Sequence, residues 1–337
     1  MKLRGTEFGH VFCASGARNF FGEGWPYHES FKHFGLDYTG STLITKTTTI
    51  DPRKGNMPLK EDSTQPVERF PKCIIVKPFH GVALNSVGLS GPGLQWLLKQ
   101  NRWQRLTEPF VISFMAVGQD HKERLQEYER LAEMMLPALK NFQTSIAVEI
   151  NISCPNVHIH QSELIDEAKE YLNMVAGLKV PIIVKINALL AEAQAAKLTE
   201  HPACDGLDIS NTIPYGQIPD IIPWEKFFGT NGSPLGHLGG GGLSGAPLLP
   251  IVTDWIKNFR RKYSYTFPII GGGGILSPDD ADLMLNTGAD AISLGCISML
   301  RPWRVQRTIR QINNRFLNRS IHASFGISGP CTKGDST

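Results

Sequence analysis

The sequence predicts an α/β fold, a single (β/α)8 TIM barrel with insertions at the rim where the strands end. Short apolar runs alternate with amphipathic helical segments over nearly all 337 residues. These runs are short and largely apolar, as expected for parallel strands that are buried on both faces. No Gly-x-Gly-x-x-Gly motif follows the first run, which disfavours the alternative of a doubly wound open sheet.

The predicted strands number one more than a barrel needs, and the pattern does not identify the surplus strand. They are Val11–Ala14, Thr42–Thr45, Gly81–Leu84, Phe110–Phe114, Ala147–Ile152, Ile182–Ile186, Gly206–Ile209, Pro268–Ile270 and Ala291–Leu294. One-sided apolar spacing predicts helices near 125–139, 164–178 and 305–316. We expect one barrel domain over residues 1–325 and a flexible tail, rich in Gly, Ser and Thr, over 326–337.

The composition and net charge of the chain bear on its partners, its location and its metal content. A formal net charge of +3 is too small to indicate nucleic acid or an acidic membrane surface as a partner. No signal-peptide pattern and no apolar stretch of roughly 20 residues is present, so we expect a cytoplasmic protein. The six cysteines form no Cys-x-x-Cys pair, so we expect no bound metal or iron–sulfur cluster in this chain.

Polar and glycine residues repeatedly follow the predicted strands. In a barrel the carboxyl ends of the strands share one rim, and chemistry belongs there. This reading places the following residues on one rim: Ser15, Lys46, Thr47, Asn85, Asn151, Cys154, Asn156, Lys185, Asn211, Thr212, Gly271–Gly274, Gly295 and Cys296.

Glycines close the last two predicted strands. Gly271–Gly274 precede a helix start at Ser277, and Gly295 follows one helix later. Backbone N–H groups at such positions bind phosphate in many barrels. The alternative is that these glycines serve tight turns only.

Two lysines leave apolar strands at the rim. A semi-buried lysine such as Lys46 or Lys185 needs an anionic or electron-rich partner. A reduced flavin is one such partner, and an ordinary ion pair is the alternative.

Four asparagines and one cysteine complete the predicted site. Asn85, Asn151, Asn156 and Asn211 offer donors and acceptors that suit a planar ligand with amides and a carboxylate. Cys154 has no histidine directly beside it, so a Cys–His nucleophile is not indicated. Its thiolate fits a general base that removes a carbon-bound proton, with inert packing as the alternative.

Two segments interrupt the alternation of strands and helices. The first, from about 54 to 77, is proline-containing and predicts an excursion beside the barrel mouth. The second, from 213 to 242, predicts a functional cover or an interface.

At these residues the sequence resembles the dihydroorotate dehydrogenase family, over most of its length. Several motifs match those of the family in order: Ala14–Gly16, Ile44–Asn56, Leu84–Leu89, Asn151–Asn156, Ile209–Thr212, Gly241–Gly245 and Gly271–Ile275. The resemblance implies an FMN enzyme that oxidises dihydroorotate to orotate in de novo pyrimidine synthesis, with hydride transfer to flavin N5.

The resemblance also implies roles for individual residues. Cys154 would be the catalytic base. The substrate would be held by Lys46, Asn85, Gly88, Leu89, Asn151, Asn156, Asn211 and Thr212. FMN would contact Ala14, Ser15, Lys46, Thr47, Asn151, Lys185, Gly242, Gly273, Gly274, Gly295 and Cys296.

A cysteine in the base position resembles the soluble first class of the family, whereas the membrane-associated second class carries serine there. The Ala-Ser-Gly motif begins at Ala14, so we expect no helical extension ahead of the barrel, which disfavours quinone as the electron acceptor. Fumarate through a homodimer and NAD through a separate electron-transfer subunit remain as alternatives.

Other functions fit parts of the same pattern. A flavin-dependent dihydropyrimidine reductase would share the cysteine and FMN but bind a ring without a carboxylate. In a flavin-free phosphate-binding barrel enzyme, the lysines would be Schiff-base or anion-binding groups. A non-catalytic descendant would use the rim for interaction only.

Overall fold

Eight parallel strands form a closed barrel. The structure, a computed structural model, describes residues 1–153, 161–263 and 266–325, with the backbone alone at 161–166 and 319–325. The barrel strands are β1 (Val11–Cys13), β2 (Thr42–Leu43), β3 (Phe110–Phe114), β4 (Ile146–Asn151), β5 (Ile182–Ile186), β6 (Gly206–Ile209), β7 (Ile269–Gly272) and β8 (Ala291–Leu294). Each pairs in parallel with its neighbour in chain order.

The sheet closes between β2 and β3. Just past β2, the Thr45 amide donates to the Val111 carbonyl at 2.9 Å, and the Thr48 amide donates to the Ser113 carbonyl at 2.9 Å. The predicted TIM barrel is therefore confirmed. Cys154, Asn156 and the predicted tail at 326–337 lie outside the described residues.

The surplus strand is the one predicted at Gly81–Leu84. It lies outside the barrel, in a four-stranded antiparallel sheet with the order Ile213–Pro214, Gly242–Gly245, Val82–Asn85 and Ile74–Lys77, here called the rim sheet. A short turn at Pro78–His80 joins two of its strands, and only antiparallel strands can be joined so briefly. Asn85 thus reaches the rim from this sheet and not from the end of a barrel strand.

Helices cover the outside of the barrel, and several short helices lie in its loops. The α-helices in the described part of the chain are Glu29–Lys32, Leu94–Lys99, His121–Leu139, Gln161–Ala176, Glu192–Thr199, Trp224–Phe228, Leu248–Lys262, Pro278–Asn286, Ile297–Leu300 and Val305–Phe325. The start predicted at Ser277 is confirmed, because its side chain accepts a hydrogen bond from the Asp280 amide and Pro278 opens the helix.

The barrel interior is layered. Apolar side chains fill its amino-terminal half, against Met1, Leu3 and Phe8 from a small hairpin (Lys2–Leu3 with Thr6–Glu7). This apolar layer is formed by Phe12, Ile44, Val111, Ala147, Ile183, Ile270 and Ala291. Side chains alternate along a strand, so the next inward residues form a second layer. That layer, here called the polar layer, consists of Ser113, Glu149, Lys185, Asp208 and Ser293, and every member is buried.

Gly245 provides a test of how closely the strands of the rim sheet pack against each other. Gly245 has φ +117°, and a Cβ there would lie 2.1 Å from the Gly81 carbonyl oxygen. We expect Gly245→Ala to lower the free energy of unfolding by at least about 2–3 kcal/mol, through overpacking and left-handed backbone strain.

Gly229→Ala is the matched control for this substitution. Gly229 also has a positive φ, +84°, but a Cβ there meets nothing within 4 Å. We expect a smaller loss in urea unfolding, about 1–2 kcal/mol, from backbone strain alone. Equal losses for the two variants would contradict the close approach of the strands at Gly245.

Candidate active site

A cavity opens at the carboxyl end of the barrel, between the polar layer and the rim sheet. It contains about 1220 Å³ of empty space, including its opening to solvent, which is ample for a ligand of cofactor size. Predicted site residues that line it are Ala14, Ser15, Lys46, Thr47, Asn85, Gly88, Leu89, Asn151, Lys185, Asn211, Thr212, Gly295 and Cys296. Gly242, Gly273 and Gly274 are described but do not belong to the lining.

Amide and hydroxyl groups on the cavity wall are hydrogen-bonded to one another. The Asn211 side-chain amide donates to Oδ1 of Asn151 at 2.8 Å and to Oγ of Ser153 at 2.9 Å. Asn151 in turn donates to Oγ1 of Thr47 at 3.3 Å, and Thr47 pairs with Oγ of Ser15 at 2.8 Å. These bonds join segments distant in sequence and fix the orientation of both amides.

Lys46 places a cation on the same wall. Its side chain is buried, with the ammonium group bonded to the Ser90 carbonyl and 5.0 Å from the centre of the Phe20 ring. The carbonyl and the aromatic face hold the ammonium group in a fixed position on the cavity wall. The sequence-based expectation that Lys46 leaves its strand for the barrel mouth is consistent with this position.

The floor of the cavity is charged. Nζ of Lys185 lies 3.9 Å from Oε1 of Glu149 and 3.8 Å from Oδ2 of Asp208. Ser113 donates to Glu149 at 2.6 Å, and Ser210 donates to Asp208 at 2.9 Å. Burial, together with the neighbouring Glu149, holds the pKa of Asp208 well above its ordinary value, although Lys185 acts in the opposite direction.

Neither Glu149 nor Asp208 was predicted from the sequence to be a site residue. The signal was nonetheless present, since Glu149 stands in the apolar run Ala147–Ile152, two residues before Asn151 and on the same face of the strand. The register places Asp208 beside Lys185, a pairing that spacing alone does not disclose.

Further lining residues come from loops and insertions. Trp25, Tyr27, Met57 and Arg69 line the cavity mouth, together with Met299. Trp25, Met57 and Arg69 lie in irregular segments, and Tyr27 and Met299 lie in helices of only three and four residues, too short to give a periodic pattern.

The glycine run at the end of β7 has a packing role. A Cβ on Gly274 would lie 2.4 Å from the backbone nitrogen of Leu249, at the start of helix Leu248–Lys262. Gly273 has φ +101° and Gly274 φ +79°, conformations that favour glycine. Close helix packing therefore accounts for part of this run, and the phosphate-binding role stays a prediction.

The described cysteines are poor candidates for a general base. Burial raises the pKa of Cys73 to about 11 and the pKa of both Cys204 and Cys296 to about 12, and it also raises the pKa of Cys13. Each of these remains a neutral thiol near pH 7. The predicted base, Cys154, follows directly on Ser153, whose hydroxyl accepts the Asn211 bond at the cavity wall.

A closed barrel with buried lysines, ordered amides and a charged floor at its carboxyl-end cavity defines a barrel enzyme. The family model for dihydroorotate dehydrogenase matches residues 2–316. The chain belongs to the dihydroorotate dehydrogenase family, whose members are oxidoreductases acting on CH–CH bonds. The predictions of the family and of an oxidoreductase are thus confirmed.

Individual relatives agree with this assignment. The chain is 29% identical over 301 residues to the catalytic subunit of dihydroorotate dehydrogenase B (NAD(+)) of Halalkalibacterium halodurans, covering 88% of this chain and 87% of that protein. It is 31% identical over 284 residues to dihydroorotate dehydrogenase A (fumarate) of Lacticaseibacillus paracasei, covering 82% of this chain and 83% of that protein.

A solved structure supports the fold. Dihydroorotate dehydrogenase of Eimeria tenella, in complex with ferulenol, superposes with a TM-score of 0.66 at 17% identity, covering 94% of this chain and 84% of that one. In the described part of the chain, no helix is long and apolar enough to cross a membrane.

The raised pKa of Asp208 leads to a prediction of how the free energy of unfolding depends on pH. The unfolded chain loses this proton near the ordinary pKa of a carboxyl, whereas the folded chain keeps it up to a much higher pH. Stability that derives from this group is therefore complete at low pH and is lost as pH rises toward the folded pKa. Asp208→Asn should remove that loss, which amounts to about 1.4 kcal/mol per pH unit.

Urea unfolding of the wild type and Asp208→Asn between pH 5 and pH 7, at equal cofactor content, measures the difference in slope. Asp205→Asn is a control on an acid that pairs with Arg4 near the outer surface. Parallel pH profiles for wild type and Asp208→Asn would show that Asp208 is ionised in the folded protein.

Proposed function

We propose that this protein is an FMN-dependent dihydroorotate dehydrogenase that oxidises dihydroorotate to orotate in de novo pyrimidine synthesis. One observation carries the proposal: a single cavity gathers buried lysines, amides and small residues from both ends of the chain. These are the side chains that the family resemblance assigns to the flavin and to the substrate. We further propose a cytoplasmic location for the enzyme.

The cavity suits FMN on two structural grounds. Ala14 and Gly295 line the cavity side by side, since a Cβ on Gly295 would lie 3.4 Å from the Cβ of Ala14, and neither residue projects a large side chain into the space that a planar ring would occupy. Beneath it, Lys185 supplies a buried positive charge, which stabilises a ring that becomes negative on reduction. Residues that would hold FMN are Ala14, Ser15, Lys46, Thr47, Asn151, Lys185, Gly242, Gly273, Gly274, Gly295 and Cys296. FMN supplies the hydride acceptor for the reaction.

The cavity wall matches the chemistry of the substrate. The ammonium group of Lys46 can pair with a ring carboxylate, and the amides of Asn151 and Asn211 can bond the ring carbonyl and N–H groups. A cation in this place favours dihydroorotate over a dihydropyrimidine without a carboxylate. The remaining proposed substrate contacts are Asn85, Gly88, Leu89, Asn156 and Thr212.

Cys154 is the proposed general base. Its thiolate would take a proton from one ring carbon, and bound FMN would supply the acceptor for the hydride lost from the adjacent carbon, so that a carbon–carbon double bond would form between the two. The described cysteines do not compete for this role, because burial keeps them protonated near neutral pH. Asn151 and Ser153 fix the chain immediately before Cys154.

The base role is tested with Cys154→Ala. We expect the variant to retain FMN but to be reduced by dihydroorotate at least about a hundredfold more slowly than the wild type in anaerobic stopped flow, the scale of general-base loss. Raising the pH should not restore the rate, because alanine has no proton to lose.

Cys204→Ala is the matched control, since it removes another thiol that is buried away from the cavity. It should be reduced at the wild-type rate. Near-wild-type reduction of Cys154→Ala would refute the assigned base, and a purified wild-type protein that takes up no FMN would refute the proposed function itself.

The electron acceptor is the second part of the proposed function. The relatives include both a fumarate enzyme and an NAD(+) enzyme whose name marks it as a catalytic subunit. We propose that electrons pass either to fumarate in a homodimer or to NAD through a separate electron-transfer subunit. Reoxidation of the isolated reduced chain by fumarate would assign the first, and failure with fumarate, NAD and a quinone alike would assign the second.

A further inference from the structure

Three ionisable side chains are buried together in the polar layer, directly beneath the cavity. Lys185, Glu149 and Asp208 come from β5, β4 and β6, which are adjacent strands of the barrel. Lys185 is 4% exposed and the two acids are fully buried. Buried charges are tolerated only when they balance and are hydrogen-bonded, so the number of protons in this group matters.

If neither carboxyl held a proton, the charges of the three side chains would not balance. With both acids ionised, the lysine and the two carboxylates carry a net charge of −1 beneath a cavity that receives negative charge. With one proton on the pair, the net charge is zero. Among the described residues that line the cavity, the other charged side chains are Lys46 and Arg69, while β3 and β8 contribute Ser113 and Ser293 to the layer.

Hydrogen bonding also indicates one shared proton. Oε1 of Glu149 receives the Ser113 hydroxyl, and Oδ2 of Asp208 receives the Ser210 hydroxyl. The other two oxygens, Oε2 of Glu149 and Oδ1 of Asp208, have no donor among the described residues. Both carboxyls approach the same ammonium group of Lys185, at 3.9 Å and 3.8 Å, and two neighbouring carboxyls can form a hydrogen bond only when one of them holds a proton.

We propose that Glu149 and Asp208 share one proton and act as positioning residues, which hold Lys185 at the cavity floor in a charge-balanced layer. This inference rests on the proposed function insofar as Lys185 faces the flavin. With one shared proton on the two carboxyls, the layer as a whole is neutral. Lys185, at the cavity floor, is the member of the layer that favours reduced over oxidised FMN. Because the proton is shared, either carboxyl alone suffices as the counter-charge, and loss of both leaves the lysine unbalanced.

The test compares Glu149→Gln, Asp208→Asn and the double variant. Each single variant should bind oxidised and reduced FMN with an affinity ratio within about threefold of the wild type, since the remaining carboxyl ionises and balances Lys185. The double variant gains one net positive charge and should favour reduced FMN by about tenfold more. By the two-electron relation, this is a rise of about 30 mV in the midpoint potential.

Ser293→Ala is the matched control from the same layer. Ser293 is buried, and its hydroxyl has no hydrogen-bond partner among the described residues. Its replacement changes no charge, so the potential should stay at the wild-type value. Single variants that each shift the potential, with effects that add up in the double variant, would overturn the shared proton.

Thermal unfolding of the FMN-free proteins separates this inference from the proposed function. The single variants should unfold close to the wild-type temperature, and the double variant well below it, because its buried lysine has no counter-charge. Adding Lys185→Met to the double variant makes the layer neutral and should restore stability or, if the double variant does not fold, folding. If the protein binds no FMN but the variants keep this order of unfolding temperatures, the proposed function is refuted and the shared proton is not. If the triple variant is no more stable than the double variant, the shared proton is refuted.

Discussion

The balance of three buried charges is the constraint on which the rest of this structure depends. Lys185, Glu149 and Asp208 lie where a barrel interior is usually filled by apolar side chains. Leaving a buried charge without any counter-charge costs about 3–5 kcal/mol, so Lys185 requires at least one of the two carboxyls. The parallel register provides this, because it sets Asp208 beside Lys185 on adjacent strands.

The polar layer also connects the barrel to the cavity wall. Glu149 accepts from Ser113, whose hydroxyl pairs with Thr47 at 2.9 Å, and Thr47 in turn bonds Ser15 and Asn151. The orientation of the wall amides thus depends on a carboxylate two residues earlier on the same strand as Asn151. Beneath the layer, the apolar residues and the amino-terminal hairpin exclude water.

Sequence patterns predicted the barrel because buried parallel strands and amphipathic helices have distinct periods. They failed at Val82–Asn85, since an apolar strand of the rim sheet has the same composition as one of the barrel. Residues at strand ends, such as Lys46 and Asn151, could be placed at the cavity for the simple reason that all barrel strands end on one rim. Glu149 and Asp208 were missed because their importance arises from register across strands and not from spacing along one.

The glycines illustrate a different limit. Gly274 is required by the approach of Leu249, and the sequence alone cannot separate such packing from phosphate binding. Cys154 illustrates the opposite case, since its proposed role rests on its motif and on the burial that disqualifies the described cysteines.

Infrared spectroscopy of the purified protein tests the shared proton most directly, because protonated and ionised carboxyls absorb at different frequencies. At neutral pH we expect a band of one buried protonated carboxyl in the wild type, which is lost in both Glu149→Gln and Asp208→Asn. A wild-type spectrum without that band would mean that both acids are ionised and would contradict the account.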